Sequence, residues 1–280
     1  MNGAAMPNFL VQMAVSSRAR VERARNLRSE KDLLRMVSVM PAPLALKFSP
    51  QGFDLIAELK LRSPAVGKLK DAASEDIGAR VLQYANAGAA AVSVLTEPSR
   101  FDGSMAHLEH AARVLPVPAM RKDFLVEPYQ VLEARVAGAG GVLVILRMLP
   151  LAELEALIDS ALEQQLFVLL EAFDETDIEL GTGLIDARRS MNELLLLGVN
   201  CRDLATLQIV PSRLLELAGK LPRHVRRVAE SGVTTVSDVA AIAAAGYDMA
   251  LVGSALMQGG DPRELAQAML RAGRAARVGV

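Results

Sequence analysis

Eight short apolar segments recur along the chain, and their regular spacing constrains the fold more than any other feature of the sequence. Successive segments begin roughly 22 to 36 residues apart, which is about the length of one strand–helix repeat. Continuous apolar runs of this kind are typical of parallel strands that are covered on both faces. The segments are Leu55–Leu59, Ala91–Leu95, Val117–Met120, Val142–Leu146, Phe167–Leu170, Leu194–Val199, Arg227–Ala229 and Met249–Val252.

The intervals between these segments carry helical patterns with helix-like ends. Three patterns begin at a proline, which a first turn tolerates, and three end just before a glycine, which can cap a helix. The interval after the fifth apolar segment has no clear pattern. The predicted helices are Glu75–Ala87, Met105–Val114, Pro128–Ala137, Leu151–Gln164, Pro211–Ala218, Val236–Ala245 and Pro262–Arg274.

Eight strand–helix units in 280 residues predict a (β/α)8 TIM barrel, an α/β fold that needs about 250 residues. An open doubly wound sheet is the alternative, although the regular repeat favours closure. Before the first strand, residues 8–35 have a helical, arginine-rich pattern. We predict an N-terminal helical extension in residues 1–50 that packs on a barrel of residues 51–280, within a single domain. The charged face of this extension is expected to be exposed to solvent. Alternatively, the extension covers one end of the barrel, either the mouth or the bottom.

Charge and cysteine content exclude several classes of function. The net charge is −1 and no stretch is purely basic, which argues against a nucleic-acid partner. No apolar run approaches the ~20 residues that span a bilayer, so we expect no membrane partner. Cys201 is the single cysteine, and no Cys/His cluster has metal-ligand spacing. We therefore expect a reduced, cytoplasmic protein without a metal or other cofactor.

Nearly every apolar segment is followed by a reactive or hydrogen-bonding residue. In a TIM barrel the carboxyl ends of the strands form the active site, so these side chains are predicted to converge on one mouth. Single charges at strand ends often only solvate a rim, and the prediction therefore depends on the group. Its members are Glu58, Lys60, Thr96, Glu97, Arg121, Lys122, Asp123, Arg147, Glu171, Asn200, Arg202, Glu230, Ser231 and Ser254.

Two lysines and three glutamates in this group can give and take protons. Lys60 and Lys122, if close, would depress each other's pKa, whereas Glu58, Glu171 and Glu230 would oppose that shift. Coupled sets of this kind are typical of general acid–base sites.

The last two strands carry a different signal. Small residues follow both of them, as Ser231-Gly232 and Gly253-Ser254. The loops after strands seven and eight of a TIM barrel often bind phosphate through backbone N–H groups. One Ser-Gly pair suits any tight turn, but two pairs at these strands predict a phosphate site.

These segments together resemble the indole-3-glycerol-phosphate synthase family. The resemblance runs in order from about residue 54 to residue 260, and its Glu-x-Lys-x-x-Ser-Pro and Arg-Lys-Asp-Phe motifs are specific, whereas Glu-Ser-Gly is shared by several phosphate-binding barrels. The motifs that carry it are Ile56–Lys60 with Ser63-Pro64, Ser93–Glu97, Phe101–Ser104, Arg121–Phe124, Pro128–Gln130, Glu133–Arg135, Leu170–Ala172, Gly198–Asn200 with Arg202–Leu204, Ala229–Gly232 and Leu251–Met257.

The resemblance implies ring closure, decarboxylation and dehydration of 1-(2-carboxyphenylamino)-1-deoxyribulose 5-phosphate, a step of tryptophan biosynthesis. It implies that Lys122 protonates the ketone, that Lys60 and Glu171 serve the later dehydration, and that Glu58 orients the lysines. It assigns substrate contacts to Ser63, Asn200, Arg202 and Glu230, an apolar slot for the ring to Pro64, Phe101 and Phe124, and phosphate binding to Ser231, Gly232, Gly253 and Ser254.

The chain departs from the family pattern at four places. The loop Ala65–Lys68 lacks the usual Ser and basic residue, and Phe173 replaces a frequent His. About eight extra residues fall within Gly181–Asn192, a predicted surface loop with a regulatory or partner contact as the alternative. We expect the altered loop and this insertion to flank the site. Cys201 replaces a common Asn or Ser and is expected to serve packing.

These departures indicate a divergent member of the family, and a second copy that serves a specialised indole pathway is one interpretation. Two other functions remain open at this point: another phosphosugar barrel lyase or isomerase, and a non-catalytic paralogue. An isomerase would more typically use an Asp or Cys pair, and the intact lysines and glutamates disfavour a non-catalytic role. We expect a small-molecule phosphosugar–anthranilate substrate. For the oligomeric state we expect a monomer or a weak homodimer, and other tryptophan-pathway enzymes are candidate protein partners.

Overall fold

The eight predicted strands close into one parallel barrel in the computed structural model, which describes residues 9–63, 67–71, 74–203, 208–258 and 260–277. Each strand pairs with its neighbours in chain order, and the last strand pairs with the first, for example Ala250 beside Leu55. The fold is therefore the predicted TIM barrel, and the open sheet is excluded. The barrel strands are β1 Asp54–Leu59, β2 Ala91–Leu95, β3 Ala119–Lys122, β4 Gly141–Ile145, β5 Phe167–Ala172, β6 Leu195–Asn200, β7 Arg226–Glu230 and β8 Met249–Val252.

Helices connect the strands on the outside of the barrel. The seven predicted helices are present, with ends shifted by up to three residues, and a helix also fills the unclear interval after β5. A short hairpin, Arg62–Ser63 with Gly67–Lys68, follows β1. The helices are α1 Phe9–Leu27, α2 Glu30–Ser38, α3 Ile77–Asn86, α4 Pro98–Phe101, α5 Met105–Val114, α6 Pro128–Val136, α7 Leu151–Glu163, α8 Glu175–Asp186, α9 Ser212–Ala218, α10 Val236–Ala244, α11 Ser254–Met257 and α12 Pro262–Arg277.

Apolar side chains fill the lower part of the barrel. Ile56, Met120, Phe167, Leu196 and Met249 are all buried in one cluster inside it, while a larger cluster lies between strands and helices. The interior is thus a packed core that leaves room only near the carboxyl ends of the strands. Across the described residues, no helix is both long and apolar enough to cross a membrane.

The N-terminal arginine-rich segment forms two helices that begin at Phe9 and Glu30. Ser29 accepts a hydrogen bond from the backbone N–H of Asp32 and so caps the second helix. The first helix buries Leu10 and Val21 against the barrel. Arg23 and Arg25 on its charged face and Arg28 just after it are exposed, whereas Leu10 on the same helix lines the mouth of the barrel.

The predicted insertion does not flank the site. Its residues form the end of α8 and a 3-10 helix, Arg189–Leu194, and both precede β6. They therefore lie at the amino end of that strand, opposite the mouth. There the Arg188 guanidinium binds Asp159 of α7 as a surface contact.

Candidate active site

Four charged side chains form one layer across the mouth of the barrel. Glu58, Lys122, Glu171 and Glu230 come from β1, β3, β5 and β7, and alternate strands are the ones whose side chains share a layer in a TIM barrel. The three carboxylates are buried, and the lysine side chain is 16% exposed. The convergence of these four residues, predicted from their places at strand ends, is thus observed.

Lys122 lies between two of these carboxylates. Its Nζ is 3.4 Å from Glu230 Oε2 and 3.7 Å from Glu171 Oε1. Burial alone would lower the pKa of Lys122, but the charges of Glu171, Glu230 and Glu58 outweigh it and raise the pKa above its ordinary value. The three glutamates thus oppose the loss of the Lys122 charge, as the sequence indicated, and Lys122 is held as an ammonium ion.

At Glu230, burial and a neighbouring carboxylate disfavour the charged form of the side chain. Burial and the nearby charge of Glu171 raise its pKa, although Lys122 counteracts them. Its Oε1 occupies the space beside the Gly198 backbone, where an added Cβ would lie only 2.2 Å away. A glycine in β6 thus makes room for this carboxylate.

Lys60 forms a second ion pair at the mouth. Its Nζ is 2.7 Å from Glu58 Oε1 and both side chains line the cavity. A Cβ on Gly253 would lie 2.4 Å from the same oxygen, so Glu58 also fits against a glycine of the neighbouring strand end.

Asn200 connects Glu171 to the loop after β6. Its Nδ2 donates to Glu171 Oε1, and its Oδ1 accepts from the backbone N–H of Arg202 at 2.9 Å. Arg202 also lines the cavity. Asn200 therefore fixes the orientation of the carboxylate that faces Lys122.

One side of the cavity is apolar. The cavity has a volume of about 250 Å³. The rings of Phe101 and Phe124 lie 6.2 Å apart between centroids, and Phe9 meets Phe124 edge-on at 5.7 Å. This wall can accept a flat aromatic group beside the charged layer.

The opposite side consists of the two small-residue turns. Ser231 and Gly232 have positive φ angles of 64° and 69°, and a left-handed backbone is uncommon for serine. Gly253 and Ser254 stand beside them in the cavity wall. Cys201 packs behind this turn, because a Cβ on Gly232 would lie 2.7 Å from its sulfur, and burial raises the pKa of its thiol to about 11. The prediction that Cys201 serves packing is confirmed.

Several residues of the predicted set do not join the cavity. Arg147 lies in a 3-10 turn, stacks on Phe173 and binds Asp174 and Asp177. Glu97 instead caps α4 through the N–H groups that follow it. Ser63 lines the cavity as predicted, whereas Pro64 and the first two residues of the altered loop lie outside the described residues.

The cavity also contains residues that strand-end reasoning missed. Phe9 and Leu10 enter from α1, and Phe173 follows β5. Thr234 and Gln258 follow the two small-residue turns. The apolar start of α1 was visible in the sequence, but nothing in that pattern says which end of the barrel it covers.

Comparison with known proteins points to one family. The sequence profile described as "Indole-3-glycerol phosphate synthase" matches residues 11–269. The Indole-3-glycerol phosphate synthase of Micrococcus luteus is 41% identical over 258 residues, which cover 90% of this chain and 91% of that protein. The protein of the same name from Parafrankia sp. is 40% identical over 252 residues, with 90% of each chain covered.

Solved structures with low sequence identity share the barrel. The 3-hexulose-6-phosphate synthase from Salmonella typhimurium superposes with a TM-score of 0.59 at 16% identity, over 79% of this chain and 98% of that one. The thiamine phosphate pyrophosphorylase from Pyrococcus furiosus gives 0.55 at 13% identity, over 81% and 97%. At such identities the likeness concerns the fold alone.

Proposed function

This chain belongs to the indole-3-glycerol phosphate synthase family, and on that premise we propose that Lys122 is the general acid of its ring-closing step. Members of the family are decarboxylating lyases of tryptophan biosynthesis that act on a small phosphosugar substrate. The alternatives of an isomerase and of a non-catalytic paralogue receive no support. What remains to be assigned is the work of each side chain.

The observation that carries this proposal is the position of Lys122 between two buried carboxylates and beside an aromatic wall. In the substrate, 1-(2-carboxyphenylamino)-1-deoxyribulose 5-phosphate, a single CH2 group separates the reacting ketone from the aromatic amine. A ring held against Phe101 and Phe124 brings that ketone toward the charged layer. The charged ammonium of Lys122 is then the donor that meets the ketone oxygen.

Ring closure proceeds by attack of the aromatic carbon that bears the carboxylate on the ketone carbon. The carbonyl electron pair moves to oxygen, which takes a proton from Lys122. Carbon dioxide then leaves, and the electron pair of the broken bond restores the aromatic ring. A raised pKa does not prevent the first transfer, because the alkoxide that develops is far more basic than an amine.

Dehydration completes the pyrrole ring. The new hydroxyl leaves as water with a proton from Lys60, and Glu171 removes the proton whose electron pair forms the double bond. Glu58 holds Lys60 at 2.7 Å and so sets the direction of that ammonium group. Glu230 keeps Lys122 aimed into the cavity from the other side.

The ends of the substrate fit the two ends of the cavity. The turns at Ser231-Gly232 and Gly253-Ser254 offer backbone N–H groups to the phosphate. Ser63, Asn200 and Arg202 face the hydroxyl and carboxylate groups between the phosphate and the ring.

A direct assay tests the proposal. The purified protein is incubated with the carboxyphenylamino-deoxyribulose phosphate, and indole fluorescence is followed. Lys122→Met is expected to lower kcat by about 10² to 10⁴-fold, the range of a general acid. Lys220→Met is the matched control, because Lys220 also pairs with a glutamate, Glu175 at 2.7 Å, but on the surface. Near-normal turnover in Lys122→Met, or no product from the unmodified protein, would contradict the proposal.

The cellular setting is part of the proposal. We place the chain in a reduced cytoplasm, since Cys201, the only cysteine, is buried and its thiol is held neutral. We expect a monomer or a weak homodimer. Light scattering over a tenfold range of concentration distinguishes the two.

A further inference from the structure

The residue that follows Lys122 is the centre of a buried hydrogen-bond network. The Asp123 carboxylate accepts hydrogen bonds from both terminal nitrogens of Arg20, at 2.7 and 2.9 Å, and from the Thr96 hydroxyl at 2.7 Å. It also accepts the backbone N–H of Phe124 at 2.8 Å. Its side chain is 0% exposed, and that of Arg20 is 18% exposed. A buried carboxylate with this many donors is held in a single orientation.

Arg20 belongs to α1, outside the barrel repeat. The same helix places Ser17 so that its hydroxyl donates to the carbonyl of Phe124, while Gln130 of α6 donates to the Ser17 hydroxyl. The backbone on the carboxyl side of Lys122 is thus held from α1 through Asp123 and Phe124. On the other side, the Lys122 carbonyl accepts the N–H of Thr96 at 3.1 Å.

We propose that Arg20 is a positioning residue for Lys122, acting through the bidentate ion pair with Asp123. The described ion pair of Arg20 is with Asp123, which directly follows Lys122 at the end of β3, and not with a carboxylate of the layer of charges. Its effect is on the direction in which the end of β3 presents the ammonium group. This inference rests on the proposed role of Lys122 as the general acid.

A purely structural role for α1 predicts a different result. The helix also supplies Phe9 and Leu10 to the aromatic side of the cavity. If Arg20 only kept the helix docked, its loss would weaken ring binding and raise KM. If it orients Lys122, its loss lowers kcat, because a displacement of about 1 Å at a reacting group can cost about 10²-fold.

The experiment compares two arginines of the same helix. Arg20→Met keeps an unbranched apolar stem but removes the guanidinium and its ion pair, and Arg20→Lys keeps the charge with a single donor group. Arg18→Met is the matched control. Arg18 also binds the barrel domain, but through Glu153 of α7 at 2.6 Å and not through the residue that follows Lys122. Each variant is measured for kcat, KM and unfolding temperature with the phosphosugar substrate.

We expect Arg20→Met to lower kcat about 10- to 100-fold with KM changed less than about threefold, and Arg20→Lys to recover part of the loss. Arg18→Met should retain normal kcat. A rise in KM at unchanged kcat, or equal losses in the Arg18 and Arg20 variants, would overturn the inference. If Arg20→Met does not fold, the kcat of Arg20→Lys decides: a normal value contradicts the positioning role.

The Lys122→Met background separates the two proposals. If Arg20 acts through Lys122, Arg20→Met should cause no further loss of single-turnover rate there. A full further loss means that Arg20 acts by another route. Normal turnover in Lys122→Met itself refutes the proposed acid, whereas an inactive Lys122→Met beside a normal Arg20→Met refutes only the positioning role.

Discussion

Replacing Gly198 with alanine is expected to impair the site by displacing Glu230. The added Cβ would lie 2.2 Å from Glu230 Oε1 and 3.0 Å from a methyl group of Leu169. Carbon and oxygen that are not bonded do not approach within 3.0 Å in such contacts, so the carboxylate must move by at least about 0.8 Å. Glu230 is 1% exposed and lines the cavity, so its carboxylate must shift among the buried groups of the cavity wall.

The size of the effect follows from the position of the ion pair. The Lys122–Glu230 contact is already 3.4 Å, so a further displacement breaks it and leaves Glu171 as the nearest carboxylate. Misplacement of this order predicts a loss of kcat of up to about 10²-fold. Overpacking at a closed position should also lower the free energy of unfolding by about 1–3 kcal/mol.

The assay pairs product fluorescence with urea unfolding. Gly183→Ala is the matched control, because Gly183 lies in α8 and a Cβ there meets nothing within 4 Å. That change should leave kcat unaltered and stabilise the fold by up to about 1 kcal/mol, through the better helix propensity of alanine. If Gly198→Ala behaves like Gly183→Ala, Glu230 is either not where the structure places it or not needed by Lys122.

Three further predictions concern other parts of the site. Burial alone would raise the pKa of Asp123, but bonds to Arg20 and its other donors hold it below its ordinary value, so stability that is present above about pH 4 is lost as the pH falls. Asp123→Asn should therefore unfold more easily at pH 7, yet lose less stability than the unmodified protein as the pH falls below about 4 in urea titrations. Ser231→Phe should raise KM more than it lowers kcat in steady-state kinetics, and the reverse would argue against phosphate binding there. Arg147→Ala should leave KM and kcat within about twofold and cost at most ~1 kcal/mol, since its ion pairs are partly exposed; a large loss of activity would return Arg147 to the site.

The strands were predictable because apolar runs coincide with buried strands. Ala91–Leu95 and Met249–Val252 match β2 and β8 at both ends. The third run was placed two residues early, because β3 continues through Arg121 and Lys122. Apolarity fails as a guide where a strand enters the active site, since the charged side chains there belong to the strand itself.

The helix after β5 was not predictable for the opposite reason. Gly181 and Gly183 weaken the helical pattern of α8. Gly181 is nevertheless required by packing, because a Cβ there would lie within 3 Å of Leu197 and Leu146. Tertiary contact, which a local pattern cannot show, decides this segment.

The position of the charged layer was predictable, but its local fit was less so. The strand ends indicate that Glu58 and Glu230 lie at the same mouth. The space for the Glu58 carboxylate, however, exists because Gly253, just after β8, has no side chain, and that for Glu230 because Gly198 of β6 has none. A glycine within an apolar strand often marks close approach by another group, so Gly198 was a usable signal. Phe9 was not predictable in the same way, because a segment outside the repeat can cover either end of the barrel.

The charge of the layer explains how an anionic substrate can enter it. The carboxylates of Glu58, Glu171 and Glu230 carry three negative charges when all are ionised. Lys122 within the layer and Lys60 beside it compensate two of them. The remaining negative charge would repel a phosphate and a carboxylate. Burial and the charge of Glu171 raise the pKa of Glu230, although Lys122 opposes them, and this weakens the hold of Glu230 on its negative charge. The pair of Lys122 with Glu171 then keeps the acid charged. On the proposed mechanism, the raised pKa of Glu230 would serve substrate binding and that of Lys122 the chemistry, within one row of buried groups.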